Sequence, residues 1–557
     1  SAEPGDREAI DALRQAAQSV GRGDASAAAD LSKRALELLP AHDLDYGSLV
    51  AETVEWLNRA SRHREAEELA VVALSQAASP EAEAEIRLRL PAHTQHSTQR
   101  RVAENRQALE LSEISDVTRA RHLAWLAYNL LYDRRGQHRA AADEAAAAAA
   151  ATDDLEARVV TDVTLARLDG GDGYAGRALC RLEKACALAR AGDVHTDHYL
   201  AAAMQYANQL AVVGRLDDAA VQVGDETAHA RREGNAMALD MWALVVGRVH
   251  LAAGRLSAAR AAVESQPPPQ STGATEADML RMRILTEVAV RTDDRNLLQQ
   301  TEIDARAAYP TGSSFVRRMA THALARAAWQ RDDVHEAVRW LGGDMARLGT
   351  PLTPEVLDLV ILSAQVASAA GDAGLRARVL QATEALERER PPVPLFAGVA
   401  GYARGILERD AQALAAAAGL LESSERPLLY AAAAEDAGAE LARTDRADQA
   451  VDQLNAAFDT YIECEALADA RRVGRALRRL GAERRIVTRP RAKTGWGSLT
   501  DSEHTVVRLI AAGATNRSVA QQLHLSPHTV KTHVHHAFAK LGITSRAQLA
   551  QLVRGAD

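Results

Sequence analysis

Apolar residues return every three or four positions along most of this chain, as in DASAAADLSKRALELLP (24–40), REAEELAVVALSQAASP (64–80) and LDDAAVQVGDETAHARREGN (216–235). That spacing gathers them on one face of a helix. Strict alternation of β-branched residues, the mark of a half-buried strand, is scarce. Alanine, the best helix former, dominates the apolar positions. The pattern predicts an all-α protein.

Turn signals break the helical pattern at Gly23-Asp24, Arg62-His63, Gly136-Gln137, Gly173, Gly214, Gly254, Asp293-Asp294, Asp332-Asp333, Gly371-Asp372, Arg409-Asp410 and Asp445-Arg446, most of them 36 to 41 residues apart. The gap from His63 to Gly136 is about twice that step and predicts a further turn between Gln95 and Arg100, for about twelve helix pairs in all. One pair cannot bury its apolar face alone, whereas a stack can. These segments resemble tetratricopeptide repeats over about residues 5 to 475, with longer periods and a looser consensus. The resemblance implies an α-solenoid with a concave surface for a peptide, a protein or a small effector.

Two proline-rich interruptions, 265–277 and 388–396, read as loops between repeats, because proline cannot continue a helix. Docking of a partner on either is the less common alternative. Trp125, Tyr128 and Tyr132 share one helix face. Their rings either pack between repeats, the commoner outcome, or line an effector cavity.

Charge separates the two ends of the chain. The net charge of −9 hides a tail, residues 471–557, with 16 Lys and Arg against 4 Asp and Glu. An acidic body joined to a basic tail suits a nucleic-acid-binding end. Three cysteines without paired spacing argue against disulfides and zinc, and so for a reducing compartment. With an acidic start to the chain and no apolar run long enough to span a bilayer, a cytoplasmic protein is expected.

Helical periodicity fades at 481–497, a basic stretch with Pro490 that reads as a linker. Four short helices are predicted in 498–557. Thr500 and Glu503 have capping-box spacing, Thr515 can cap a second helix, and Ser526-Pro527 can open a third. On that third helix Val530, Val534, Phe538 and Leu541 form an apolar stripe, while His528, Lys531, Thr532 and His535 fall on the other face, as in a recognition helix.

This segment resembles the LuxR family of bacterial regulators through Leu499, Thr500, Glu503, Gly513, Asn516, Ala520, Leu523, Ser526, Thr529, Val530, Lys531, His533, Lys540, Leu541, Gly542 and Arg546. It departs at Ser502, Ser518 and Val519. The resemblance implies DNA contact through Lys531, Thr532 and His535 at base edges, with His528 and Thr529 beside them. Phosphates would fall to Thr515, Ser526, His533 and Lys540, and Asn516 is a further DNA-binding residue that the resemblance implies. The fourth helix, through Leu549, Leu552 and Val553, is the expected dimer contact.

Repeats followed by such a module are similar to the C-terminal part of large ATP-binding LuxR-type regulators related to the maltose-regulon activator. Their phosphate-binding loop is missing here, so ATP is implied only for a module upstream of this chain, and no cofactor is expected within it. The expectation is therefore a non-enzymatic transcription regulator with three parts: a repeat body (1–480) that senses an effector or partner, a linker (481–497) and a DNA-binding domain (498–557). Double-stranded DNA, a second copy on DNA and RNA polymerase are its expected partners. The alternative is an interaction scaffold with an incidental DNA-binding tail.

Imidazole ordinarily titrates near ~6.5, so protonating His528 and His535 beside phosphate would add attraction. DNA affinity is expected to rise as pH falls from about 7.5 to 6. Replacing both histidines by Gln should flatten that response in a fluorescence anisotropy titration, and an unchanged response would free these two rings of the role.

Overall fold

The computed structural model divides into two compact units, Ser1–Arg484 and Arg485–Asp557. In the first unit the structure describes residues 5–484 apart from 41, 42, 44, 76–78, 91–96, 133–137, 193, 266–273, 311, 312, 343–352 and 483. In the second it describes 501–511, 514–522, 530, 531, 534, 537, 538, 540–543, 545, 548 and 549.

The described residues of the first unit form 25 helices, from Arg7–Val20 to Leu467–Arg479, and no strand. They read as twelve antiparallel pairs and a closing helix. In nine of the turns inside a pair one residue lies in the left-handed region: Ser61, Gly173, Gly214, Gly254, Asp293, Asp332, Gly371, Arg409 or Asp445. Such a residue ends one helix and turns the chain at once. Its successor then often starts the next helix as a cap. Asp294, Asp333, Asp372 and Asp410 accept the backbone N–H of Leu297, Glu336, Leu375 and Ala413 at 3.1, 2.9, 2.7 and 3.1 Å. Of the turn expected between Gln95 and Arg100, Gln95 and His96 lie outside the described residues, and Ser97 caps helix Thr98–Glu110, so Thr98 to Arg100 are already helical.

From Tyr46–Arg59 to Pro354–Ala370 each first helix packs on its own partner and also on the first helix of the next pair, so that Asp116–Leu130, Leu155–Gly171, Thr196–Val212, Ala236–Ala252 and Glu276–Thr292 form a continuous inner row. Alanines let the second helices lie close against this row. Ala28, Ala70, Ala145, Ala178, Ala219 and Ala259, one on each of six second helices, are fully buried. A larger side chain there would have to displace a neighbouring helix.

The inner row coils until it meets itself. Helix Tyr46–Arg59 touches Ala236–Ala252, and Glu276–Thr292 touches Leu467–Arg479. Polar contacts tie these successive turns. The Ser61 hydroxyl donates to Asp240 at 3.0 Å, Arg101 pairs with Glu276 at 3.0 Å, and Arg291 pairs with Asp469 at 3.3 Å. Glu425 accepts the N–H groups of Leu216 and Asp217 at 2.6 and 3.1 Å. At Gly234, with φ of +57°, a Cβ would run into the Gly23 carbonyl, so two backbones meet where no side chain fits. The 388–396 segment serves the same contact: Glu389 accepts the Ala175 N–H, and Leu395 packs beside Gly214.

Glu276 also accepts hydrogen bonds from Thr98 and Ser313, and both it and Arg101 are buried. Glu276→Ala would remove the buried carboxylate that pairs with Arg101 between turns, at a cost of about 3 to 5 kcal/mol. The melting midpoint of the full chain, followed by circular dichroism, should fall clearly. An unchanged midpoint would show that this pair does not hold the turns together.

Candidate functional site

The second unit is built around a small core. Helix Asp501–Ala511 supplies Val506, Val507 and Ile510, helix Asn516–Gln522 supplies Val519 and Ala520, and Val530, Ala537 and Leu549 complete it. Val534, Phe538, Leu541 and Ile543 pack against this cluster, so the predicted apolar stripe does face inward. Residues 530, 531, 534, 537, 538, 540 and 541 are helical. The Thr515 hydroxyl accepts the Ser518 N–H at 3.1 Å, which makes it the cap the sequence predicts.

Two further devices set the C-terminal end. Gly542 is left-handed, with φ of +68°, and the Ile543 N–H reaches back to the Phe538 carbonyl at 3.1 Å, which stops the third helix while Ile543 packs in the core. Ser545 and Gln548 then exchange side-chain and backbone hydrogen bonds, both 3.2 Å, a capping box that opens the fourth helix. The Ser-x-x-Gln spacing of TSRAQ carried that signal.

Lys531 is exposed directly beside fully buried Val530, which puts its ammonium on the polar side of the helix. Thr515 is exposed, while Asn516 and Lys540 are half-buried. Thr532, His535, His528, Thr529, Ser526, His533, Leu552 and Val553 lie outside the described residues. Leu549 requires a correction. Its side chain is fully buried within the core of its own unit and has no surface to offer a second copy.

In the first unit, the inner row lines a cavity of about 100 Å³ that opens to solvent. The aromatic face seen in the sequence is packed between repeats, and part of it also borders this cavity. Trp125 is core, and its indole N–H donates to the His198 Nε2 at 3.1 Å. Accepting that bond requires a neutral ring, and burial holds His198 well below the ordinary histidine value. Tyr128 and Tyr132 belong both to the packed cluster and to the cavity wall, joined edge to face at 5.7 Å, with Phe315 5.5 Å beyond. Arg248 also lines the cavity and is held by Glu355 at 2.5 and 2.8 Å. Burial pushes the Glu355 carboxyl up, but Arg248 and Arg283 outweigh it and keep the group well below the usual carboxylate range.

Residues 497–553 match the family of bacterial regulatory proteins called luxR. The C-terminal segment is a LuxR-family helix-turn-helix domain. A protein of Mycobacterium bovis named as an HTH-type transcriptional regulator is 50% identical over 68 residues, which is 12% of this chain and 8% of that relative. The DNA-binding transcriptional activator DevR/DosR of Mycobacterium tuberculosis is 42% identical over 52 residues, 9% of this chain and 24% of its own. These matches therefore cover only a small part of either relative. Among solved structures, Naa15/Naa10 bound to HypK-THB aligns with 95% of this chain and 88% of its own at 14% identity and a TM-score of 0.20.

The geometry of the LuxR-family domain depends on its helix ends, because so small a core cannot fix short helices by burial alone. Thr515→Ala and Ser545→Ala should each destabilise the domain by about 1 kcal/mol. Hydrogen exchange on the full chain should quicken at 516–522 for the first variant and at 548–549 for the second. Exchange unaltered at both places would mean that these caps do not limit opening.

Proposed function

We propose that this chain is a DNA-binding transcription regulator, or the regulatory part of one, in which the helical-repeat body receives an effector or protein partner and controls the LuxR-family domain. The observation that carries the reading is the domain itself: the luxR match over 497–553, with Lys531 exposed on a helix whose opposite side, Val530 and Ala537, is buried. A helix fixed in this way can lie in a major groove with its polar face toward base edges. The body supports the other half of the reading, since a long inner row of packed helices lines a concave cavity with apolar and charged side chains on its wall.

On this reading the chain works in the cytoplasm without catalysis or a cofactor of its own, and ATP would enter only through an upstream module. Two copies act together on DNA, because one domain makes few phosphate contacts and pairing doubles both contact and sequence read. RNA polymerase is the partner through which an activator of this kind would work.

Lys531→Ala should weaken binding to a selected operator by about 1 to 3 kcal/mol, with a smaller loss on random DNA. Equal losses on both would make Lys531 a phosphate contact rather than a base reader. The operator should hold two half-sites about 10 base pairs apart. Leu552→Asp should abolish occupancy of the paired site in footprinting while single half-site binding persists. Full paired occupancy by that variant would remove the fourth helix as the contact between copies.

A further inference from the structure

The cavity in the inner row carries charged groups of both signs on its wall. Two of the arginines on its wall are neutralised: Arg101 by Glu276 at 3.0 Å and Arg248 by Glu355 at 2.5 Å. Arg167 is different. Among the described residues it meets no carboxylate, and its Nη1 donates only to the neutral Gln205 side chain at 2.9 Å. Its Nε is buried and has no hydrogen-bond partner. Gln205 in turn donates to the Tyr128 hydroxyl at 3.2 Å, and the Arg167 guanidinium sits 6.0 Å from the centre of the Tyr132 ring. An uncompensated guanidinium in such a setting is costly unless an anion completes it.

The other end of the cavity has the opposite sign. Asp197 lies eight residues before Gln205 on helix Thr196–Val212, about 12 Å along the axis at 1.5 Å per residue. Burial pushes its carboxyl up to about 6, and the nearby Glu55 adds to that shift. A second anion would therefore be unwelcome there. Besides the paired charges, the wall has an apolar and adaptable part, with Met204, Met237 and Met241 on two adjacent inner helices.

We infer that this cavity binds a small monocarboxylic acid with an apolar body, its carboxylate on Arg167 and its far end toward Asp197. The inference rests on the signal-receiving reading of the body and gives the effector a chemical class. A bidentate guanidinium contact would fix the acid end, and the methionine wall would accept chains of differing shape. A dicarboxylate of the same length would place its second charge against Asp197. An alcohol of the same length would leave Arg167 without its anion.

The test is calorimetric titration of the full chain, without DNA, with octanoate, octanol and octanedioate. Octanoate should bind at least tenfold more tightly than either of the others. Arg167→Met should bring octanoate down to the level of octanol without lowering the melting midpoint, since it removes an uncompensated charge. Asp197→Asn should improve octanedioate more than octanoate. Equal affinity for octanoate and octanol in the unaltered chain, no heat with any of the three, or octanoate binding indifferent to Arg167→Met would overturn the inference. A gel shift with selected operator DNA, with and without octanoate, separates this from the wider reading. Octanoate binding that depends on Arg167 but leaves DNA occupancy unchanged upholds the site and contradicts signal transmission to the LuxR-family domain.

Discussion

The buried pairing of Arg101 with Glu276 shows what the rest of the body depends on, because it joins residues 175 positions apart and fixes how one turn of the helical stack sits on the next. A stack of helix pairs held only by neighbour contacts could flex along its length. Contacts between turns change that. Ser61 with Asp240, Glu425 with Leu216 and Asp217, and Arg291 with Asp469 repeat the same kind of tie further along. Each is polar and specific in geometry, so a stack that coiled to a different pitch would leave several of these groups buried and unmatched.

That closure gives the inner row its cavity. The inner helices are rich in groups that would be solvated on an open solenoid, and here they face one another between helices. Most find an opposite charge, as Arg326 and Arg291 do with Glu287, which holds that carboxyl at about 2 despite its burial. The exceptions are informative for function, because evenly paired charges stabilise a wall whereas an unmatched one selects a ligand.

Local features were legible in the sequence to the extent that a turn or cap is decided by its own residues. Gly254, Asp293 and Arg409 mark reversals because the backbone there must be left-handed, and Thr515 caps because its hydroxyl faces the next turn of helix. The coiling of the stack was not legible. It sums small rotations between many pairs, and no short pattern in the sequence records that Gly23 will meet Gly234 or that Tyr132 will face Phe315. The setting of Arg167 was hidden for the same reason, since Gln205 and Tyr132, which it meets, lie on other parts of the stack. Leu549 was misread more simply: a short amphipathic helix shows which residues share a face but not whether that face meets its own core or a second copy.

Two units with different physics follow from this. The body is a large array closed by its own turns, and the C-terminal domain is a small core whose helix ends are set by hydrogen bonds. Their proposed division of labour, reception in one and DNA reading in the other, is tested most directly by a gel shift on selected operator DNA comparing the full chain with a chain lacking residues 498–557. The account predicts that binding disappears with the domain. Undiminished binding by the truncated body would contradict it.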